Sequence, residues 1–265
     1  MAIKMFVTDL DGTLLHRDHT ISAENKKAIR EAVDAGIVVT IATGRMYVSA
    51  LPYAQELEVD VPIITYNGAL IRSVAGEVLF DSYLAEDIVQ QVYAFCRQRG
   101  WYIQVYSEDS LYFAVHDEKA AAYEKATSVT GRAVGPDGLA EVTHKVPKML
   151  VVTSGREETE KVLTELRSVF GHRITAVMSN PEYAEIINIG VNKATAMQQL
   201  AAKLGIRIDE VMAIGDSNND LPMLKAAGYS AAMGNANEAV KAVTDYVTAD
   251  CDQDGVAAAI RKYVL

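Results

Sequence analysis

Two aspartates one residue apart, Asp9 and Asp11, follow directly on an apolar run in MFVTDLDGTLLHRD (5–18). At ~4 Å two such charges repel by about 4 kcal/mol at an effective dielectric near 20. Other polar residues stand after other apolar runs. Thr43, Gly44 and Arg45 follow IVVTIAT, and Asn67, Gly68 and Ala69 close VPIITYNGA. Gly215, Asp216, Ser217, Asn218, Asn219 and Asp220 follow VMAI, and Lys193 opens the segment before it. In a shared cleft Asp9, Asp11 and Asp216 would repel one another. A hard divalent cation removes that conflict, and oxygen-only ligands favour Mg²⁺ over zinc. Lys193 adds positive charge. Thr43 and the backbone N–H groups around Gly44 can donate to phosphate oxygens at a helix N-terminus. Carboxylates, a cation, a lysine and hydroxyl donors suit phosphoryl transfer, where catalysis is mostly positioning and charge neutralisation.

These residues converge only if the chain builds an open parallel sheet, whose ligands bind outside the carboxyl ends of the strands. The pattern predicts one. IKMFVTDL reads as a buried strand, and ISAENKKAIREAVDAG as a helix with Ser22 as N-cap and Gly36 past its end. IVVTIAT is continuously apolar, as a strand buried on both faces should be. A helix over MYVSALPYAQELE, with a kink or late start at Pro52, and a strand over VPIITYNGA complete a β-α-β-α-β order, which argues for a parallel sheet. On an extended chain Asp9 and Asp11 would point the same way, both at the end of a buried run. Gly12 allows a sharp turn after them, and Thr13 can cap it.

The pattern then changes. A hairpin is expected over ALIRSVAGEVLFDS, turning at Ala75–Gly76. An amphipathic helix, two strands around a polar turn and a helix near 117–127 follow. After a polar stretch through Gly135, Pro136, Asp137 and Gly138 come the strand KMLVVTS, a helix near 156–169 and two strands. Paired strands of this kind suggest an antiparallel α+β module. The βα alternation returns from VNKATAMQQLAAKLG onward. The expected organisation is an α/β domain built from 1–82 and 190–265, interrupted by an α+β insert over 83–189.

Composition narrows the function. The 265 residues are 50% hydrophobic with a net charge of −10, so the chain lacks the basic footprint of a nucleic-acid binder. No apolar run reaches the roughly 18 residues of a membrane span. Cys96 and Cys251 are too few for a disulfide framework or a zinc site. The expectation is a cytoplasmic protein, monomeric or weakly homodimeric, with a small-molecule partner and neither nucleic acid nor membrane. The five histidines show no metal spacing and read as surface residues. Neither a G-x-G-x-x-G nor a G-x-x-x-x-G-K-[ST] motif occurs.

DLDGTLL, TGR, the lysine of GVNKAT and GDSNNDLPML resemble, in order, the four motifs of the haloacid dehalogenase (HAD) superfamily. YNGA, MGNANEAVK and DGVA make the chain similar to its Cof-type (subfamily IIB) sugar-phosphatase branch. The resemblance implies a HAD-like Rossmannoid α/β core with an inserted cap, and Mg²⁺-dependent hydrolysis of small phosphorylated metabolites, sugar phosphates foremost. It implies that Asp9 is the nucleophile, forming an aspartyl-phosphate, and Asp11 the general acid and then base. It places Mg²⁺ on the Asp9 side chain, the Asp11 carbonyl and the Asp216 side chain. Thr43, Gly44, Lys193 and Asn219 would bind phosphate or substrate, with Asp220, Asn67 and Arg45 in support. One departure is Ala194, where the family usually has glycine after the lysine; Ala suits a first helical turn. The alternatives are a phosphomutase or phosphotransferase of the same superfamily, or a non-enzymatic phospho-acceptor module.

Overall fold

The computed structural model describes residues 2–265. The described residues form two compact units: 2–44, Ala50–Phe80 and Asn192–Leu265 make the first, and Arg45–Ser49 with Asp81–Val191 the second. No helix among the described residues is long and apolar enough to cross a membrane.

The first leg of the chain runs β1 (Met5–Thr8), α1 (Ala23–Asp34), β2 (Val38–Ile41), α2 (Tyr47–Glu56), β3 (Ile63–Thr65), β4 (Leu70–Arg72) and β5 (Val78–Asp81), all in unit one apart from the start of α2 and the last residue of β5. Local chemistry sets these bounds. The Ser22 side chain accepts the Asn25 N–H at the start of α1, and Gly36, at φ +85°, follows its end. α2 begins at Tyr47 and continues through Pro52, ahead of the expected late start. β3 departs from expectation. It meets the parallel sheet through an isolated parallel bridge between Ala42 and Ile64, and pairs antiparallel with β4. The reversal between them uses positive φ at Tyr66 (52°), Asn67 (55°) and Gly68 (102°).

Unit two contains α3 (Glu86–Gln98), β6 (Ile103–Ser107), β7 (Ser110–Phe113), α4 (Glu118–Thr127), β8 (Arg132–Ala133) and α5 (Gly135–Ala140). It continues through β9 (Lys148–Val152), α6 (Arg156–Phe170), β10 (Ile174–Asn180) and β11 (Tyr183–Asn188). Its sheet has the order β10-β11-β9-β6-β7-β8, antiparallel apart from the β7–β8 pair. Alternation sorts the side chains by face. Ile103, Val105, Met149, Val151, Ala184 and Ile186 form one core with α3 and α6. The other face carries buried polar groups, among them Gln104, Tyr106, Lys148 and Glu185. The segment expected as a polar stretch at 135–138 is instead the helix α5. Pro136 sits in its first turn, where its missing N–H costs nothing, and Leu139 is buried. The Tyr93 hydroxyl donates to the Pro136 carbonyl at 2.6 Å and ties α5 to α3.

The chain returns to unit one with α7 (Lys193–Lys203), β12 (Val211–Gly215), α8 (Leu221–Ala226), β13 (Tyr229–Ala232), α9 (Glu238–Lys241), β14 (Tyr246–Val247) and α10 (Gly255–Tyr263). The resulting five-stranded parallel sheet has the order β14-β13-β12-β1-β2. Thr8, the last residue of β1, is level with Ile214 on one side and Ile41 on the other. The residues just past these three strands therefore emerge together at the carboxyl edge.

Asn25 locks the helices beneath this edge. It is fully buried, accepts the Ala257 N–H of α10 at 2.9 Å and donates to the Leu14 carbonyl at 3.4 Å. Asn25→Ala strands both backbone groups. It should cost unit one about 1–3 kcal/mol in urea denaturation; an unchanged midpoint would show that the two bonds are dispensable.

Candidate active site

The carboxyl edge of the sheet concentrates charge. The Asp9 N–H follows β1 and donates to the Ile214 carbonyl at 3.1 Å, which holds the turn after β1 against β12. Asp9 is 4% exposed and Asp220 is fully buried. Lys193, the first residue of α7, is also fully buried; its Nζ donates to Asp9 Oδ1 at 2.7 Å and Asp220 Oδ1 at 2.6 Å. The helix is started by a capping box between Asn192 and Thr195, which sets where the lysine leaves the backbone. Asp220 uses its second oxygen to accept the N–H groups of Asp216 and Ser217, both at 3.0 Å. The Thr13 hydroxyl donates to Asp216 Oδ1 at 3.1 Å.

Burial has an electrostatic consequence. It lifts the Asp9 carboxyl well above its ordinary range; Asp220 and Asp216 push the same way, against Lys193. Asp216 is pushed up to about 7, first by burial and then by the charge of Asp220. Burial alone would lower the Lys193 ammonium, but Asp220 and Asp9 outweigh it and hold its pKa above the ordinary value. One oxygen from each of Asp9, Asp216 and Asp220 lies within 4.8 Å of the others. Three desolvated carboxylates around one point, two of them resisting ionisation, suit a hard cation with oxygen ligands.

The remaining expected residues fall around this cluster. Thr43 is buried; its N–H donates to the Ile64 carbonyl and its carbonyl accepts the Asn67 N–H at 3.0 Å. Asn67 in turn accepts from the Asn219 side chain at 2.9 Å, and Ser217 donates to Asn219 Oδ1 at 3.2 Å. Asp11 differs from expectation. It is exposed, because the chain after Asp9 coils into a tight turn over Leu10–Leu14 with Gly12 at φ +73°. Its charge still reaches Asp216. Gly44 ends the first segment of unit one, whereas Arg45 clusters with unit two. The Arg45 guanidinium donates to Ser49 at 3.4 Å, and the Ser49 hydroxyl donates to the Thr127 carbonyl.

Three neighbours of the cluster were not singled out in the sequence. His19 Nδ1 lies 3.8 Å from Asp11 Oδ1. Asn235 and Asn237, past the end of β13, bond to Gly12 and Asn218. The rule that selects residues after the other strands, applied to β13, would have found both asparagines. His19 lies in the turn before α1 rather than just past a strand and carries no such signal.

Comparisons with known proteins identify the family. The profile of the haloacid dehalogenase-like hydrolases matches residues 6–260. The chain is 33% identical over 263 residues to the 5-amino-6-(5-phospho-D-ribitylamino)uracil phosphatase YcsE of Bacillus subtilis, covering 99% of this chain and 96% of that protein. It is 30% identical over 262 residues to an HMP-PP phosphatase of Serratia proteamaculans, covering 94% and 91%. Among solved structures, a haloacid dehalogenase-like hydrolase from Bacteroides thetaiotaomicron superposes with a TM-score of 0.87 at 32% identity, over 98% of this chain and 99% of the other. A sugar phosphatase of HAD subclass IIB superposes with a TM-score of 0.84 at 27% identity, over 97% and 98%. The chain belongs to the haloacid dehalogenase-like hydrolases, in their Cof-type branch, and is a phosphatase of that family. Phosphatases of this family typically use Mg²⁺.

The raised Asp216 sets a pH dependence. Folded Asp216 keeps its proton to about 7, against 3.8 for the ordinary group, so the folded state binds more protons between these values. Stability then falls as pH rises through that window. In chelator-treated protein the thermal midpoint should drop from pH 5 to pH 7, and Asp216→Asn should flatten the drop. Equal slopes in the two proteins would contradict the assignment.

Proposed function

We propose that this phosphatase hydrolyses small phosphorylated metabolites, sugar phosphates foremost, through an aspartyl-phosphate on Asp9. The observation that carries the reading is the buried Lys193 ammonium held between Asp9 and Asp220, inside a cluster of three carboxylates. In the proposed reaction a carboxylate oxygen of Asp9 attacks phosphorus and the bond to the leaving oxygen breaks. Asp11 gives its proton to that oxygen. It then takes a proton from the water that hydrolyses the aspartyl-phosphate, restoring Asp9 and releasing phosphate. Exposure of Asp11 suits a group that must exchange protons with leaving group and solvent.

The other residues serve charge and position. Lys193 neutralises Asp9 and the transferred group, Thr43 and Gly44 supply phosphate donors, and Asn219, braced by Asn67, faces the substrate. Asp220 orients Lys193 and, through its second oxygen, the loop bearing Asp216. The Asp9 side chain, the Asp11 carbonyl and the Asp216 side chain would hold Mg²⁺, which when bound supplies positive charge against the carboxylates and the phosphoryl oxygens. Segments 1–82 and 190–265 form the catalytic core in this reading, and 83–189 the cap that selects the leaving group. The relatives' names support the substrate class: they include a phosphorylated ribityl compound, HMP-PP and a sugar phosphate.

Asp9→Asn should abolish release of phosphate from p-nitrophenyl phosphate while circular dichroism and the thermal midpoint hold. Substantial residual turnover would remove Asp9 as the nucleophile. A panel of phosphorylated metabolites, with and without Mg²⁺, should show hydrolysis that depends on the ion. Transfer of phosphate to a second sugar in place of release would favour a transferase.

A further inference from the structure

The loop after β13 reaches the catalytic turns at several points. Met233 donates its N–H to the carbonyl of Gly215, the residue before Asp216, at 3.1 Å. Gly234 donates to the Ala249 carbonyl at 2.9 Å, and a Cβ built on it would lie 2.8 Å from the Asp250 nitrogen. The loop is therefore seated tightly against unit one's last segment. From that seat two asparagine side chains project onto the turns that carry the carboxylates.

Asn235 donates through Nδ2 to the Gly12 carbonyl at 2.7 Å and accepts the Cys251 N–H through Oδ1 at 2.9 Å. A carbonyl only accepts and an N–H only donates, so its two partners fix which end of the amide faces which. Gly12, at φ +73°, is the conformationally free link between Asp11 and Thr13. Fixing its carbonyl fixes the peptide plane that leads into Thr13, whose hydroxyl holds Asp216. The chain beyond this turn is fastened separately: the Arg17 N–H donates to Asp252 Oδ1 at 3.0 Å, and its guanidinium pairs with Asp250 and Asp252. Asn237 accepts the Val240 N–H at 3.1 Å as the N-cap of α9, and so turns Nδ2 toward Asn218 Oδ1 at 3.2 Å. Asn218 lies in the loop between Asp216 and Asp220.

We propose that Asn235 and Asn237 are positioning residues for phosphoryl transfer, Asn235 pinning the Gly12 turn and Asn237 the Asp216–Asp220 loop. The inference rests on the roles proposed above for the residues in those two loops. Neither asparagine touches the carboxylates; each acts through a backbone or side-chain group beside them. One short loop thereby indexes the nucleophile turn and the acidic loop to the same frame.

Isosteric changes separate the pins from the fold. Asn235→Asp keeps the acceptor for Cys251 and opposes the Gly12 carbonyl with an oxygen, and Asn235→Ala repeats the loss without added charge. Asn237→Asp keeps the α9 cap, since aspartate caps as well as asparagine, and loses only the donor to Asn218. Each should lower kcat for p-nitrophenyl phosphate by about tenfold or more, as displaced catalytic groups do, with KM within about threefold of wild type. Hydrogen exchange should quicken in 10–15 for the Asn235 variants and in 215–220 for Asn237→Asp, by more than any fall in the thermal midpoint accounts for. Unchanged kcat and exchange, or losses that follow the thermal midpoint alone, would overturn the pins. Wild-type protein without phosphatase activity would refute the proposed function instead, and the exchange measurement would still decide whether the asparagines hold these turns.

Discussion

The constraint on which the site depends is the ammonium of Lys193, fully buried and shared by two carboxylates. An isolated buried ammonium would be driven toward neutrality. Here two anions at 2.6–2.7 Å overcome that tendency and keep it charged. The arrangement leaves more negative than positive charge in the cluster; the carboxyls of Asp9 and Asp216 are both raised, first by burial and then by the neighbouring carboxylates. Removing the lysine would leave Asp9 and Asp220 buried without a counter-charge, which is why such pairs are costly to break even where their net contribution is small.

Space around the lysine is as constrained as charge. A Cβ on Gly215 would lie 2.5 Å from Asp220 Cγ, so the end of β12 must be glycine if Asp220 is to fold back under it. A Cβ on Gly68 would sit 2.3 Å from the carbonyl of Asn192, the residue that caps α7 and presents Lys193. The turn after β3 is thus packed directly on the start of α7. Its three consecutive positive φ angles serve that close approach, at an order of 1–3 kcal/mol for each non-glycine residue so held. Asn67 spans the gap: its N–H reaches the Thr43 carbonyl and its side chain receives Asn219. Strand order does the rest. With β1 between β12 and β2, segments some 200 residues apart end level with one another.

Much of this was legible because it rests on signals that survive in one dimension. Continuous apolar runs marked β1, β2 and β12, and Ser22 and Gly36 marked the ends of α1. Polar residues past the strands then marked the edge where Asp9, Lys193 and Asp216 gather. What was missed lacks such signals. α5 is built from glycine, proline and aspartate, and its helix is held by one buried leucine and a tyrosine bond from α3, which no local pattern announces. Asp11 and Asp9 share a motif, yet a five-residue turn puts one in water and the other in the core. In that turn Gly12 is gripped by Asn235, 223 residues away, and the chain beyond it is fastened through Arg17 to Asp252.

The site is also where local preference and global fold disagree most. Like charges are buried together, and a tyrosine and an asparagine occupy a backbone region that favours glycine. Helix ends elsewhere follow local preference, with Ser22, Asp117, Asn192 and Asn237 as caps, although Glu58, Glu108, Asp109, Ser128, Lys145 and Asp254 also adopt positive φ. Such concentrated conflict is expected where function, and not stability, chose the residues. It also explains why so many asparagines surround the carboxylates. Asn67, Asn219, Asn218, Asn235 and Asn237 each offer a donor and an acceptor without adding charge. A frame built from aspartate would have deepened the repulsion that Lys193 already balances, and one built from alanine would have left the strained turns without partners. Neutral amides are the side chains that can brace an over-charged edge from several directions at once.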